Sequence, residues 1–210
     1  MPKGSPELTA SRREEIINAC EQLYQTMNFK EITVKEIGEA TSFTRTSIYN
    51  YFQTKEEIFL ALMQREYDLW VCDLETLMQE HTVLTPDELA HALAVSLEKR
   101  KQLLKLLAMN HYDMEENSRP ENLTEFKKSY GASLNAVRNC LIKFCPDMSG
   151  TEIEQFVFVF FPFMFGVYPY AVASDKQITA MEQASVQFTM HSIYEMIYNC
   201  VRKLLERNKL

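Results

Sequence analysis

The chain has 210 residues, 46% hydrophobic and 24% charged, a balance that suits a globular chain able to bury a core without disulfides or a structural metal. Its formal net charge is −7, which excludes bulk positive charge as a way of holding nucleic acid. Five cysteines (Cys20, Cys72, Cys140, Cys145 and Cys200) are an odd number with no C-x-x-C pair, which argues against a disulfide framework or zinc site and fits a reducing cytoplasm.

Only five glycines and seven prolines punctuate the chain, so an all-helical fold is expected. The N-terminus, MPKGSPELTASRR, lacks the apolar stretch of a secretory leader. Ile16, Ala19, Cys20, Leu23 and Met27 recur on one helical face. That first helix opens near Thr9–Ser11 and closes near Asn28. Thr33, three residues before Glu36, reads as a capping box opening a short helix from Val34 to about Ala40. Thr41 to Phe43 make a tight connection. Thr44 then caps a third helix over Arg45 to Tyr51, and Thr54 caps a fourth running to about Glu80.

Further on, Thr85-Pro86 opens a helix to about Lys99, and Leu103, Leu104, Leu107 and Ala108 mark the next. Asp113 to Pro120 reads as a polar loop. Leu123 to Phe144 is a helix stopped by Cys145-Pro146, and Ser149-Gly150-Thr151 caps another from Glu152 to about Ala173. A final continuous helix is expected from about Gln177 to Glu206.

Two short helices joined by a tight turn behind a longer one describe a helix-turn-helix, whose second helix lies in the major groove. On the third helix Ile48 and Phe52 are four apart and face the core. Arg45, Thr46, Ser47, Tyr49, Asn50 and Tyr51 surround the rest with hydroxyl, amide and guanidinium groups suited to phosphates and base edges. Residues 1–60 hold seven Lys/Arg (3, 12, 13, 30, 35, 45, 55) against nine Asp/Glu (7, 14, 15, 21, 31, 36, 39, 56, 57), a balance of −2. Recognition must therefore come from placed donors rather than net charge.

Residues Thr33-Val34-Lys35-Glu36-Ile37-Gly38-Glu39-Ala40, Thr44-Arg45, Ile48-Tyr49-Asn50-Tyr51-Phe52 and Lys55-Glu56-Glu57-Ile58-Phe59 together resemble the TetR family of regulators, over about residues 10 to 65. The resemblance implies a DNA-binding domain over 10–70, with its helix-turn-helix at 33–52, and a ligand-sensing and dimerisation domain over 71–210. It implies an N-terminal three-helix domain followed by a bundle of about six helices that forms a homodimer. By position, Thr44, Arg45, Thr46, Ser47 and Asn50 would approach bases and phosphate. Tyr49 and Tyr51 would bond the DNA backbone, Lys55 would reach a phosphate, and Thr33 with Lys35 would support another. The sequence departs from the family at Ser42, where a turn glycine is usual, at Phe43, where a small aliphatic residue is usual, and at Thr46, where a small residue is usual.

Residues 156–170 read FVFVFFPFMFGVYPY, eight of them Phe or Tyr, so burial on both helix faces is expected. Pro162 and Pro169 should bend this helix. On the last helix Val186, Met190, Ile193, Ile197, Cys200 and Leu204 form a packing stripe. With Ile153 and Phe156, the stripe supplies the expected dimer interface. Met109, Tyr112, Phe126, Tyr130, Phe160, Met164 and Tyr168 are the expected lining of an apolar effector pocket with phenolic handles.

No G-x-S-x-G, P-loop or H-E-x-x-H stands in the sequence, so neither an enzyme nor a cofactor is expected. His111, Asp113, Glu115 and Glu116 read as a polar loop end rather than a metal site. The expected partners are a palindromic operator, a second copy of the chain and an unidentified small apolar or amphipathic effector, without a membrane. The alternative is a helical ligand- or partner-binding protein with weakened DNA recognition.

Overall fold

The computed structural model describes residues 5–42, 44–109 and 111–206, and the side chains of all of these except 111–113. Every regular element among them is a helix. In chain order they are α1 (Pro6–Thr26), α2 (Val34–Glu39), α3 (Arg45–Ile48), α4 (Lys55–Glu80), α5 (Pro86–Lys99), α6 (Lys101–Leu107), α7 (His111–Glu116), α8 (Pro120–Phe144), α9 (Gly150–Ala171), α10 (Asp175–Gln183) and α11 (Ile193–Leu205).

Local chemistry sets most boundaries. Four helices open with a reciprocal capping box: Thr33 with Glu36, Thr85 with Glu88, Ser149 with Glu152 and Ser192 with Glu195. In each the hydroxyl takes an orphan backbone N–H while the carboxylate returns to the cap residue's own N–H. Two starts lie earlier than expected because proline occupies the first turn. Ser5 caps α1 at Pro6, and α8 begins at Pro120 rather than Leu123. The expected polar loop from Asp113 is instead partly helical, since α7 covers His111–Glu116. α3 closes at Ile48 rather than Tyr51, and tight turns carry on from it, with Tyr51 N and Phe52 N both donating to Ile48 O at 2.8 and 3.0 Å.

The largest correction concerns the C-terminus, where the expected continuous helix is two helices. Ala184 ends α10, and Ser185 takes a left-handed φ of 54°. Ser185 N then donates to Glu182 O and Val186 N to Met181 O, at 3.0 and 2.9 Å, the bond pair of a Schellman stop. The Ser192 capping box restarts the chain as α11. Val186 and Met190 therefore lie on no helix and are exposed.

The chain divides into two compact units, Met1–Arg65 with Asn110–Tyr130, and Glu66–Met109 with Gly131–Leu210. The division falls inside α4 at Arg65 rather than at residue 70, and it groups residues 110–130 with the N-terminal helices.

In the first unit Ile16, Cys20, Ile32, Ile37, Ile48, Phe52, Ile58 and Leu62 are buried together with Phe59. The Phe59 ring meets Tyr24 and Phe29 edge-on at 5.2 and 4.8 Å. Arg65 ties α4 to α1 through Glu14 (2.5 Å), Asn18 (2.6 Å) and Glu21 (2.6 Å).

In the second unit α11 packs on α5 and α9, and α6 on α9. Trp70 is fully buried, with its indole N–H satisfied by Ser96 Oγ at 3.0 Å and its ring 6.0 Å from Phe161. α9 has the length and apolarity of a membrane span, yet Ile153, Phe156, Val157, Phe160, Phe161, Met164 and Val167 lie in the unit's own core. Its other face departs from the expected two-sided burial: Phe158 is 81% exposed, beside Val159 and Tyr170.

Glycine at position 185 would adopt the left-handed turn without a Cβ clash. Ser185→Gly is therefore expected to stabilise the protein by about 1 kcal/mol, read as a higher denaturant midpoint with an unchanged slope. A lower midpoint would show that the Schellman stop is not the conformation in solution.

Candidate nucleic-acid interface

The N-terminal unit places α3 through one close contact. A Cβ built on Gly38, the penultimate residue of α2, would lie 3.2 Å from Arg45 Cα, so α2 and α3 approach to backbone distance. Thr41 Oγ1 donates to Gly38 O at 2.9 Å, closing the end of α2. Ser42 N donates to Glu15 Oε1 of α1 at 2.5 Å, anchoring the turn. Among the described residues the positive φ outside glycine is at Ser185, so Ser42 stands where the family usually has glycine without a left-handed backbone. Phe43 lies outside the described residues.

Beyond this turn α3 presents an exposed face. Thr44, Arg45, Thr46, Tyr49 and Asn50 are exposed and Ser47 is half-buried, while Ile48 is fully buried beneath them. Two pairs organise that face. Thr44 Oγ1 and Ser47 Oγ are 3.1 Å apart, and Arg45 Nη2 donates to Tyr49 OH at 3.2 Å. Arg45 is exposed and carries five guanidinium N–H donors in all, one of them on Tyr49 OH. Lys35 is exposed on α2, paired loosely with Glu39 at 3.6 Å.

Three expected contact residues are placed differently. Lys55 turns its ammonium inward, donating to Phe29 O at 2.7 Å and Ile32 O at 3.0 Å, with Nζ 4.1 Å from the Phe29 ring centroid. It caps the loop between α1 and α2. Tyr51 is 6% exposed, with its hydroxyl accepting from Arg12 at 3.4 Å. The Thr33 hydroxyl is held in the α2 capping box with Glu36. Arg12 was absent from the expected set because nothing in sequence spacing ties it to a residue 39 positions away.

The carboxylates that make this unit acidic are largely turned to internal donors. Glu14 and Glu21 serve Arg65, Glu15 serves Ser42, Glu31 accepts from Asn28 N at 2.7 Å, and Glu36 serves Thr33. The Glu57 side chain is fully buried and takes Arg119 Nε at 2.7 Å, Arg119 Nη2 at 2.8 Å and Gln53 N at 2.7 Å. Burial by itself would raise the Glu57 pKa. The hydrogen bonds from Arg119 and Gln53 outweigh it and hold the carboxyl below its ordinary value.

The residues expected to line a pocket are divided between the units. Phe126 (buried) and Tyr130 (half-buried) belong to the first. Phe160 and Met164 (fully buried), with Met109 and Tyr168 (half-buried), belong to the second. The side chain of Tyr112 lies outside the described residues. Burial raises the Tyr168 phenol above its ordinary pKa. A groove of about 1070 Å³ in the second unit lies elsewhere, lined by residues including Phe144, Cys145, Phe156, Val159 and Leu204.

The residues expected at a dimer interface fare similarly. Ile153, Phe156, Ile193 and Ile197 are buried within the chain itself, none of them more than 8% exposed. Leu204 is half-buried at the groove.

Comparison with known proteins agrees with this architecture. Residues 16–62 match the family described as "Bacterial regulatory proteins, tetR family", and residues 64–196 match "Tetracyclin repressor-like, C-terminal domain". The uncharacterized HTH-type transcriptional regulator YfiR of Bacillus subtilis (strain 168) is 30% identical over 67 residues, which is 32% of this chain and 33% of that protein. The HTH-type transcriptional repressor Rv1474c of Mycobacterium tuberculosis is 27% identical over 66 residues, 31% of this chain and 35% of that one. The similarity thus spans about a third of each curated relative. Among solved structures, Thermus thermophilus FadR in complex with lauroyl-CoA superposes with a TM-score of 0.61 at 18% identity, covering 94% of this chain and 95% of that one. FadR from Bacillus subtilis in complex with stearoyl-CoA gives 0.57 at 16% identity, covering 92% and 97%. At such identities these likenesses establish the fold. With one family description matching the helix-turn-helix segment and another most of the remainder, the chain belongs to the tetR family of bacterial regulatory proteins.

Proposed function

We propose that the chain is a homodimeric, sequence-specific DNA-binding transcriptional regulator, a repressor released from a palindromic operator by a small amphipathic ligand. The observation that carries the DNA-binding reading is the exposed hydroxyl, amide and guanidinium face of Thr44 to Asn50, above a fully buried Ile48. Arg45 and Asn50 are the base-reading side chains in this reading, since guanidinium and amide groups make bidentate pairs with purine edges. Thr44, Thr46, Ser47 and Tyr49 supply neutral phosphate donors, and Lys35 a charged one. A DNA partner implies a cytoplasmic location.

A palindrome needs two recognition helices. The face that suits a second copy is the outer side of α9, where Thr151, Gln155, Phe158, Pro162 and Pro169 recur at helical steps and are all exposed, flanked by Val159 and Tyr170. As effector class we propose long-chain acyl thioesters. Two regulators of the same fold were solved with lauroyl-CoA and stearoyl-CoA, and such ligands combine an apolar chain with a polar head.

A gel shift against DNA upstream of the protein's own gene, with and without lauroyl-CoA, tests the reading. A sequence-specific shift at low salt that lauroyl-CoA reverses supports it. Absence of any specific shift removes the DNA-binding reading, and a shift indifferent to acyl-CoA removes only the effector.

Three substitutions refine this. Arg45→Ala is expected to cost about 1–3 kcal/mol per half-site and to relax discrimination against operator mismatches; an unchanged affinity favours a partner-binding protein instead. Lys55→Met is expected to destabilise the fold by about 1–2 kcal/mol through its lost charged hydrogen bonds. It should leave the salt dependence of binding unchanged, whereas a phosphate contact would reduce the slope by about 0.9 per subunit. Phe158→Glu, on a fully outward side chain, is expected to leave a folded monomer in light scattering; a retained dimer would move the interface elsewhere.

A further inference from the structure

Resting on the DNA-binding reading but going beyond it, we propose that Arg119 is a positioning residue for recognition: anchored by buried Glu57, its guanidinium holds the turn that follows the recognition helix without touching DNA. Arg119 stands one residue before α8 and belongs to the same compact unit as α1, α2 and α3. Its Nη2 donates to Tyr51 O at 3.2 Å, and Arg13 Nη1 of α1 donates to the same carbonyl at 3.5 Å. Tyr51 O lies in the turns that carry on from α3, and two guanidinium groups converge on this one carbonyl.

The other side of the Arg119 fork closes on Glu57. Nε and Nη2 take both carboxylate oxygens, and the backbone N–H of Arg119 donates to Oε1 at 3.0 Å. A fully buried carboxylate has no water to fall back on, so this pair is not interchangeable with solvent. Gln53 N donates to the same carboxylate, and Thr54 Oγ1 donates to Asn117 O at 2.9 Å. The segment 117–119 therefore grips the chain on both sides of Phe52, at the point where the recognition helix leads into α4. The Arg13 guanidinium also lies over the Phe52 ring at 4.4 Å, which leaves the junction held from α1 as well. A residue that matches the C-terminal family description thus sets the seat of an element that matches the N-terminal one.

The full-length chain tests this with Arg119→Gln and the conservative Arg119→Lys, which keeps the charge but cannot bridge Glu57 and Tyr51 O through one planar fork. Ser192→Ala, a lost cap in the other unit, is the control for general destabilisation. The first measurement is amide hydrogen exchange over residues 45–53 without DNA. We expect both Arg119 variants to exchange there at least about tenfold faster, with the control unchanged at those positions. The second is affinity for the operator across a salt series. We expect a loss of about tenfold or more with the wild-type slope retained, because no phosphate contact is removed.

Unchanged exchange over 45–53 overturns the proposal, as does unchanged operator affinity. A slope lower by about one per subunit also overturns it, since that marks Arg119 as a phosphate contact. If Arg119→Gln does not fold, Arg119→Lys decides both readouts. Failure of the wild-type protein to bind any DNA would strike the underlying reading, while the exchange measurement would still decide whether Arg119 seats the helix.

Discussion

A carboxylate without solvent access has to be paired. The Glu57 side chain is fully buried, yet its carboxyl is held below its ordinary pKa because Arg119 and two backbone N–H groups surround it. This one requirement brings together residues 62 positions apart and organises the N-terminal unit. It explains why the division of the chain places α7 and the first part of α8 with the helix-turn-helix. It also fixes the first turn of α4 against the end of the recognition helix.

The acidity of the N-terminal segment looked like an obstacle to DNA binding, and its deployment resolves much of it. Glu15 anchors the turn, Glu36 caps α2, Glu14 and Glu21 hold Arg65, and Glu57 holds Arg119. The negative charges are structural ligands for backbone N–H groups and arginines. The exposed face of α3 carries none of them. The same economy applies to cations: Lys55 is a loop cap, while Arg45 on α3 and Lys35 on α2 stay exposed.

Much of the fold was legible in the sequence because its signals are local. Thr33, Thr54 and Thr85 read as caps from their own neighbourhoods, and α2, α4 and α5 begin where those signals put them. The C-terminal break carried a signal of the same kind, Ser192 three residues before Glu195, but an apolar stripe with correct helical spacing ran through it. Periodicity is indifferent to a nine-residue interruption between Gln183 and Ile193 when the spacing on either side happens to stay in phase. Val186 and Met190 joined a stripe whose members Ile193 and Ile197 are buried while Cys200 and Leu204 are half-buried. Apolar character alone could not say whether Ile193 and Ile197 face a second copy or this chain's own α5.

The sequence by itself determined the all-helical class, most helix starts and the family, since capping, proline placement and helical period act within a few residues and the motif is contiguous. Within the helix-turn-helix it also identified the exposed donors Thr44 to Asn50, which follow from the burial of Ile48. Only the tertiary structure decided which long side chains were available. Lys55, Tyr51 and Arg119 each find partners 23 to 68 residues away, and a flexible side chain bonds whatever acceptor packing brings within reach. The helix-turn-helix is therefore readable as a motif, while the residues that seat it are set by contacts that no local spacing encodes.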